Sequence, residues 1–546
     1  MNMHIKVIRK FVLSALLLFL SAQSLQAQVV WENPKFEIYD FLARQAQKGN
    51  IDIDDFIQPL SRKVISKHLS LLADSTQKLS VTEKKELDFY LQEYSEFTDL
   101  DTGYIYFAEK DSSARLRFLA VEKDGFVVKG EPLLTLETLL SNKSRVFKKG
   151  NGLQFWGHMG KSIGFQFYFQ DFTESGTGID SIKDFTSEAG IVRTNTVNPD
   201  KLSYSDIRGH MTYSWKNGSV SAGKDNLLYG YGRSGKIILS DKAPSYPHIR
   251  FDYKPLKWLS FQYAHAWLQS SMLDSNKTYP TGNPVYGGKR EFYIQKFMAT
   301  HSLNFFPAKG LSLSIGESII YSDKLNVAYL MPVMFFKAYD HYTSKHNISA
   351  GSNGQFYLQA SSRNHIPNTH LYANAFIDEI RTSAIFDRSK SRNQLGFTIG
   401  ASVTDLLPYM TVGYEYSRIN PFVYQNLIGA QTYSTQNYTL GDWIGNNADR
   451  SVLYLEYTPI PRLKALIQYQ HIRKGSGGTI EEQYYAEPQP EFLFGLNRTQ
   501  TEMKIGFSYQ LLHNVYAQGR LTKIQDNFIG YNEKINLFSF GISIGM

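Results

Sequence analysis

The chain has 546 residues, a formal net charge of +8 and no cysteine. The lack of cysteine excludes a disulfide framework, a thiolate metal site, a cysteine nucleophile and a lipoprotein cysteine. Phenylalanine and tyrosine number 36 each, and such residues suit pleated strands and membrane–water interfaces. The charges are dispersed without a long Lys/Arg run, so they indicate either a plain solvated surface or contact with anionic lipopolysaccharide and acidic glycans, and we expect no nucleic-acid partner.

The first residues predict a secretory signal peptide over residues 1–27. Basic residues between positions 6 and 10 precede an apolar run over 11–20, and Ala27 is the expected last residue of the leader. The apolar run is about half of the roughly 20 residues that a membrane-spanning helix needs. We therefore expect an exported mature chain that begins near Gln28.

Residues 34–97 carry apolar side chains at helical spacing and predict a bundle of three helices. Ser61 is the expected N-cap of the second helix, and the segment from Ser80 to Glu83 has the pattern of a capping box that opens the third. We assign residues 28–110 to a periplasmic helical region, which we interpret as a packing unit without chemistry. It is expected to cap or narrow that end of a pore.

From about residue 114 onward the apolar period becomes two, which predicts strands. Phe165, Phe167 and Phe169 alternate with polar neighbours, and the same alternation occurs over 311–316, 505–510 and 538–546. In a soluble sandwich the polar face meets water, whereas in a membrane barrel the apolar face meets lipid and the polar face lines the lumen. The period alone does not separate these cases. Glu317 breaks the pattern, because it lies on the apolar parity of its strand.

The lengths of the connections favour the membrane barrel. Short links alternate with long connections, which places all tight turns on one side and the long loops on the other, as in outer-membrane barrels. We predict an all-β membrane protein whose residues 111–546 form an antiparallel barrel of about 18 strands with long external loops, the last strand closing against the first. The short links lie at 160–162, 216–218, 254–257, 306–310, 364–369, 405–408, 458–462 and 511–514, and the long connections at 172–207, 226–246, 270–289, 322–353, 418–449 and 474–497.

No catalytic pattern is found. The glycines near Tyr231 lack the strand–turn–helix setting of a nucleotide loop, and the Walker, His-Glu-x-x-His and Gly-x-Ser-x-Gly patterns are missing. Glu481, Glu482 and Glu487 lie in a Gly/Pro-rich loop and are better interpreted as a solvated loop face than as paired catalytic carboxylates. We predict that the protein is not an enzyme and uses no cofactor and no metal.

Several segments carry a resemblance to a known family. They are residues 223–232 (GKDNLLYGYG), 237–241 (IILSD), 246–250 (YPHIR), 59–62 (PLSR), 371–372 with 378–379, and 440–441 with 445 and 448–449. In these segments the sequence resembles the Wzi family of capsule-assembly outer-membrane proteins, as a Bacteroidetes-type member. The resemblance implies an 18-stranded barrel with a small periplasmic helical bundle, and a lectin-like role holding capsular polysaccharide at the cell surface. Some members of the wider family, in gliding bacteria, are linked to motility.

We therefore predict a capsule or exopolysaccharide assembly or surface-attachment protein of the cell outer membrane. The alternatives are a porin or substrate channel, an adhesion or gliding-motility component, and a soluble exported all-β protein. The expected partners are outer-membrane lipid and lipopolysaccharide, a capsular or other surface polysaccharide and the barrel-assembly machinery, and we expect a monomer.

The expected polysaccharide site lies on two external loops. The loop over 226–246 follows Lys224 and Asp225 and carries Tyr229, Tyr231 and Arg233, and a second loop carries Tyr438, Asp442 and Trp443. Tyrosine offers a ring face and a hydroxyl to a sugar, and arginine can pair with a uronic carboxylate. We predict that the two loops meet over the mouth of the barrel. The alternative is that they fold inward and pack against the barrel wall, which needs the same residue types.

Overall fold

The computed structural model describes residues 29–545 apart from 76–78, 95–102, 112–114, 193–197, 199, 284, 286, 347–350, 381–386, 388–389 and 391. The predicted signal peptide lies outside the described residues. Among the described residues, no helix combines the length and the apolar character needed to cross a bilayer.

Within the described residues, 18 antiparallel strands close into a barrel. In chain order they are β1 Phe126–Ser141, β2 Arg145–Met159, β3 Ile163–Thr177, β4 Lys201–Trp215, β5 Gly218–Asp225, β6 Tyr246–Leu256, β7 Leu259–Leu273, β8 Tyr293–Ala308, β9 Leu311–Ser322, β10 Asn353–Arg363, β11 Thr369–Ile380, β12 Asn393–Thr404, β13 Met410–Ile419, β14 Ala448–Ile460, β15 Leu463–Lys474, β16 Arg498–Leu512, β17 Val515–Phe528 and β18 Tyr531–Ile544. Each strand pairs with its neighbours in this order, and β18 pairs with the second half of β1, from Leu134 to Ser141. The predicted strand number and the closure by the last strand are confirmed.

A hairpin precedes the barrel. Its strands, Tyr104–Lys110 and Leu116–Lys123, pair with each other, and the second also pairs with the first half of β1. The first hairpin strand lies within the region 28–110 that the sequence assigned to helices, whereas the second hairpin strand and β1 lie within the predicted barrel region.

The two faces of the strands follow the predicted parity. On β9, Ile315 is 49% exposed on the outer surface, whereas Ser312 and Ser314 are buried inside. On β3, Phe167 is 44% exposed, while the side chain of Gln166 accepts a hydrogen bond of 2.7 Å from the backbone N–H of Trp31 in the lumen. An apolar outer face and a polar inner face are what lipid outside and a lumen inside require.

The predicted short links all lie at one end of the barrel, which is the periplasmic end in bacterial barrels. At the other end, two connections that the sequence left unassigned are also tight, at 142–144 and 529–530. The short link at 216–218 forms a hairpin, and neither Asn217 nor Gly218 has a positive φ, so its turn is not of type I′, the type that Asn-Gly favours.

Three helices pack against the short-link end, namely α1 Ile38–Gln47, α2 Arg62–Ala73 and α3 Val81–Glu93. The hydroxyl of Ser61 caps α2, and Ser80 and Glu83 form the predicted capping box of α3. The helices share an apolar core and also contact the short links. Arg44 pairs with Asp405, the side chain of Gln47 donates to the carbonyl of Asn368, and the backbone N–H of Arg462 donates to Glu86.

The remaining elements are short. Helix α4, Phe336–His346, follows the 3-10 turn Val327–Leu330 in the connection after β9, and α5, Ile480–Tyr484, lies in the connection after β15. A second 3-10 turn is Gly429–Gln431. Two-residue strands pair Tyr279–Pro280 with Lys289–Arg290, Ser434–Thr435 with Tyr438–Thr439, and Ile57–Gln58 with Leu228–Tyr229.

Candidate functional site

The loop between β5 and β6 enters the lumen. Leu228 and Tyr229 pair as a short antiparallel strand with Gln58 and Ile57 of the helical region, and the backbone N–H of Gly230 donates 2.8 Å to the carbonyl of Phe56. Gly230 has a φ of +89°, and a Cβ there would lie 2.8 Å from the side chain of Asn374 on the barrel wall. A connection from the long-loop end and a segment of the helical region are thus hydrogen-bonded to each other inside the barrel.

A buried ion pair joins this loop to the helical region and the wall. The carboxylate of Asp55 accepts hydrogen bonds of 2.9 and 2.8 Å from the guanidinium of Arg363 at the end of β10, and another from the hydroxyl of Tyr231. Burial alone would raise the pKa of Asp55, but the charge and hydrogen bonds of Arg363, together with the hydrogen bond from Tyr231, outweigh it and hold the pKa below its usual range. We call Asp55, Arg363 and Tyr231 the interlock.

The tip of the same loop approaches the short-link end of the lumen. The guanidinium of Arg233 donates 2.6 Å to Glu456 and lies 4.6 Å from the centre of the Tyr454 ring, both on β14. The backbone N–H of Arg233 donates 2.7 Å to Glu415 on β13. Arg233 is therefore paired within the protein. Its partner Glu456 lies a few residues before the turn that joins β14 to β15.

The connection between β13 and β14 meets the first loop, as predicted, but inside the lumen instead of over the mouth. The indole N–H of Trp443 donates 2.6 Å to the carbonyl of Ser234, and the backbone N–H of Ser240 donates 2.8 Å to the carbonyl of Leu440. Asp442 accepts two hydrogen bonds, of 2.8 and 2.7 Å, from Arg450 on the wall. Asp442 thus fixes its loop to the barrel.

The two loops and the segment around Phe56 share a hydrophobic core, which we call the plug. Its members are buried side chains from both loops, from the helical region and from the inner wall, and they include Phe56, Ile57, Leu227, Tyr229, Ile237, Ile238, Leu239, Tyr246, Tyr357, Phe376, Val423, Tyr433, Leu440, Trp443 and Ile444. Because this many apolar side chains are buried together, the plug is a folded unit and not an unpacked loop.

The other predicted site residues are separated by the structure. Lys224 and Asp225 are neighbours on β5, so their side chains lie on opposite faces of the wall. Asp225 is buried on the lumen side, where its carboxylate lies 3.9 Å from Arg208, whereas the Lys224 ammonium donates to the carbonyl of Ile207 and to Ser245. They do not form a pair for one ligand.

Tyr438 lies near the long-loop end, where a third connection crosses the plug. Its half-buried side chain donates 2.7 Å through its hydroxyl to the carbonyl of Ile182. The ammonium of Lys242 lies 5.6 Å from the centre of the Tyr438 ring and donates to the carbonyls of Thr186 and Glu188. This places a tyrosine face and a cation side by side where the connection over 178–192 meets the plug.

A cavity of about 350 Å³ lies between the start of α1 and one side of the barrel wall. Its charged lining comes from α1, β1 and β14–β17 and consists of Glu37, Asp40, Glu137, Glu456, Lys464, Lys504 and Arg520. These strand residues were not among the predicted site residues, although their place on the polar parity of the strands was the available signal. Within the described part of the chain, no group of three His, Asp or Glu side chains has the arrangement of a metal site.

Comparison with known proteins gives structural neighbours. No protein-family profile and no curated protein matches the sequence. The solved structure of Wzi, an outer-membrane protein involved in group 1 capsule assembly in Escherichia coli and described as a carbohydrate-binding β-barrel, matches with a TM-score of 0.57 and 13% identity, over 95% of this chain and 100% of that one. The fold is that of an outer-membrane β-barrel. The channel protein OprD of Pseudomonas aeruginosa matches at a TM-score of 0.42 and 10% identity, over 81% and 97% of the two chains.

The likeness to Wzi confirms the fold that the sequence predicted and indicates the outer membrane as the location of the chain. At 13% identity it shows the fold alone, so the predicted family membership has structural support without a match in sequence.

Proposed function

We propose that this outer-membrane barrel attaches or assembles capsular or other exopolysaccharide at the cell surface, as a lectin-like protein without catalysis. The observation that carries the proposal is the plug, which fills the lumen with a folded core held from both ends. A barrel closed in this way presents its external loops as a rigid surface, which suits retention of a polymer better than free diffusion. The likeness of the whole chain to a carbohydrate-binding barrel supports the same choice.

The surface proposed for the polysaccharide is the external side of the plug, around Tyr438. The half-buried ring and the hydroxyl of Tyr438 give the mixed apolar and polar character that a sugar needs, and the buried ammonium of Lys242, which is hydrogen-bonded to backbone carbonyls, lies against this ring from inside the protein. Trp443 packs edge-on against Phe185 of the third connection, with ring centres 5.3 Å apart, and supports this surface from below. In this proposal Tyr229, Tyr231, Arg233 and Asp442 act by holding the plug in shape, and Lys224 and Asp225 by holding the base of the loop.

The test compares Tyr438→Ala with Tyr438→Phe in the parent cell, with a deletion strain as the reference for full loss. The phenylalanine variant keeps the ring face and removes the hydrogen bond to Ile182, whereas the alanine variant removes both. We expect the alanine variant to release polysaccharide into the medium and the phenylalanine variant to retain it. Normal retention by both variants, or no release even in the deletion strain, would contradict the proposal.

A second candidate function, a narrow channel for small polar solutes, is favoured by the cavity lined by Lys504 and Arg520. Charged residues in a lumen set the ion selectivity of a barrel. A small, steady conductance in planar bilayers whose cation-to-anion ratio changes in Arg520→Ala would support this role. A wild-type protein that shows no conductance in planar bilayers would exclude the channel function.

A further inference from the structure

The connection after β9 folds onto the outside of the barrel. Tyr263, Phe297, Ile319 and Tyr321 lie on the outward parity of β7–β9, yet they are buried, whereas Ile315 on the same face is exposed. These residues form one apolar cluster with Tyr329 and Phe336 of the connection. We call residues 323–346 the lateral flap, because they cover the outer wall instead of the mouth.

Polar contacts fix the flap in place and explain the break in parity at Glu317. The Glu317 carboxylate, on the outward face of β9, accepts hydrogen bonds from the backbone N–H groups of Phe336, at 3.0 Å, and Lys337. These are the first donors of α4, where a carboxylate is favoured. His301 hydrogen-bonds the carbonyl of Pro332 at 3.0 Å. A carboxylate and an imidazole on the outer wall are thus hydrogen-bonded by the flap, and the carboxylate is buried beneath it.

The far side of the flap is apolar and exposed. Met331, Val333 and Phe335 point away from the covered cluster, and Val333 is 85% exposed. The ring of Phe335 lies 6.1 Å from that of Phe356 on β10, and Leu358, the next outward residue of that strand, belongs to the exposed apolar belt of the barrel. The apolar surface of the flap is therefore continuous with the lipid-facing surface of the barrel.

We propose that the lateral flap is a lipid-docking element, with Met331, Val333 and Phe335 inserted among acyl chains of the outer leaflet. The continuity with the barrel belt selects lipid as the occupant, since a side chain beside Phe356 and Leu358 meets the same surroundings as they do. Exposed lysines at both ends of the apolar stretch, Lys324 and Lys337, suit the anionic head groups of that leaflet. The flap thereby anchors this side of the barrel rim to the lipid around it.

The experiment exploits the absence of cysteine from the chain, because one introduced cysteine carries one spin label. Val333→Cys is labelled and reconstituted in vesicles of phosphatidylethanolamine and phosphatidylglycerol, and its collision rates with oxygen and with a water-soluble nickel chelate are measured. Ile315→Cys, on the barrel belt, is the matched lipid reference. Tyr485→Cys, 76% exposed in another external connection, is the matched aqueous reference. Heat-modifiable migration on an unboiled gel verifies that each variant is folded.

We expect the label at position 333 to match the one at position 315, with an oxygen-to-nickel collision ratio several-fold above that at position 485. A ratio equal to that at position 485 would show the flap in water and overturn the proposal. Low collision rates with both reagents would show that a protein surface, such as a second copy of the chain, covers position 333, and would overturn it equally. None of these outcomes depends on polysaccharide binding.

Discussion

Replacing Asp55 by alanine should loosen the plug from its periplasmic side. Asp55 and Arg363 are each 7% exposed and are joined by two hydrogen bonds, so the variant leaves a buried guanidinium without its carboxylate. Removing one partner of a buried pair typically costs 3–5 kcal/mol. Arg363 keeps the Tyr231 ring, 5.3 Å away, so we expect the lower end of that range, about 3 kcal/mol.

Asp54 provides the matched control for this experiment. Its carboxylate lies 3.4 Å from the hydroxyl of Ser260 and 3.9 Å from the ammonium of Lys254, and its side chain is 29% exposed. Such a loose pair contributes about 1 kcal/mol or less, so Asp54→Ala should behave like the wild type. Burial raises the pKa of Asp54 to about 6, in contrast to Asp55, so loss of this carboxylate should not destabilise the fold at neutral pH.

The assay is the free energy of unfolding in denaturant, together with single-protein conductance in planar bilayers. The Asp55 variant should unfold at lower denaturant concentration and open more often, because Tyr231 loses its acceptor at the same time. If the Asp55 and Asp54 variants gave the same stability and the same silent bilayer, the interlock would not hold the plug, and the reasoning from burial and geometry would be wrong.

Three further predictions concern the wall, the helical region and the lateral flap. Phe167→Arg should impair assembly, measured by heat-modifiable migration, because arginine facing lipid near the midplane costs roughly 2–4 kcal/mol, whereas the lumen-facing Gln166→Arg should assemble. Burial acts to raise the pKa of Glu83, but hydrogen bonds from Lys48 and Ser80 outweigh it and lower the pKa to about 2. The stabilisation of the fold by this carboxylate is therefore present above pH 4.5 and is lost as the pH falls through 2. In denaturant unfolding, Glu83→Gln should lower the free energy of unfolding by roughly 3 kcal/mol at pH 7 and by almost nothing near pH 2. Glu317→Ala should lower the free energy of unfolding by about 1–2 kcal/mol and make the flap accessible to chymotrypsin, because the N-terminus of α4 loses its hydrogen-bond acceptor. Unchanged kinetics of chymotrypsin cleavage would argue against this role of Glu317.

The barrel could be predicted from the sequence because its determinants repeat in every strand. Lipid on one side and a polar lumen on the other impose a period of two, which appears at Phe167 and at Ile315 alike. The caps at Ser61 and Ser80 were predictable for a related reason, since a cap needs only residues within one helical turn. Local rules of this kind do not depend on knowledge of distant contacts.

Inward folding of the two loops was one of the two alternatives that the sequence left open, but the contacts of the plug could not be predicted, because they join residues far apart in the chain. Asp55 and Arg363 are separated by 308 positions, and Tyr231 and Asp55 by 176. Glycines and tyrosines serve equally in an exposed sugar site and in a packed loop, so composition did not decide where the loop around Tyr231 lies. The parity break at Glu317 was a real signal of the lateral flap, although the sequence alone did not identify its cause.

The plug is built from the loops of one end of the barrel and from the helical region at the other end. A deletion of the helical region would therefore test more than the helices. The sequence predicted that the helical region caps or narrows that end of the pore. In the structure, Ile57 pairs with Tyr229 in a short antiparallel strand, and the carbonyl of Phe56 accepts a hydrogen bond from the backbone N–H of Gly230. Removal of the helices must therefore also unseat the external loop, because a two-residue strand has no stability of its own. Conformational change at the periplasmic end is thus coupled to the external loop by the contacts that close the lumen.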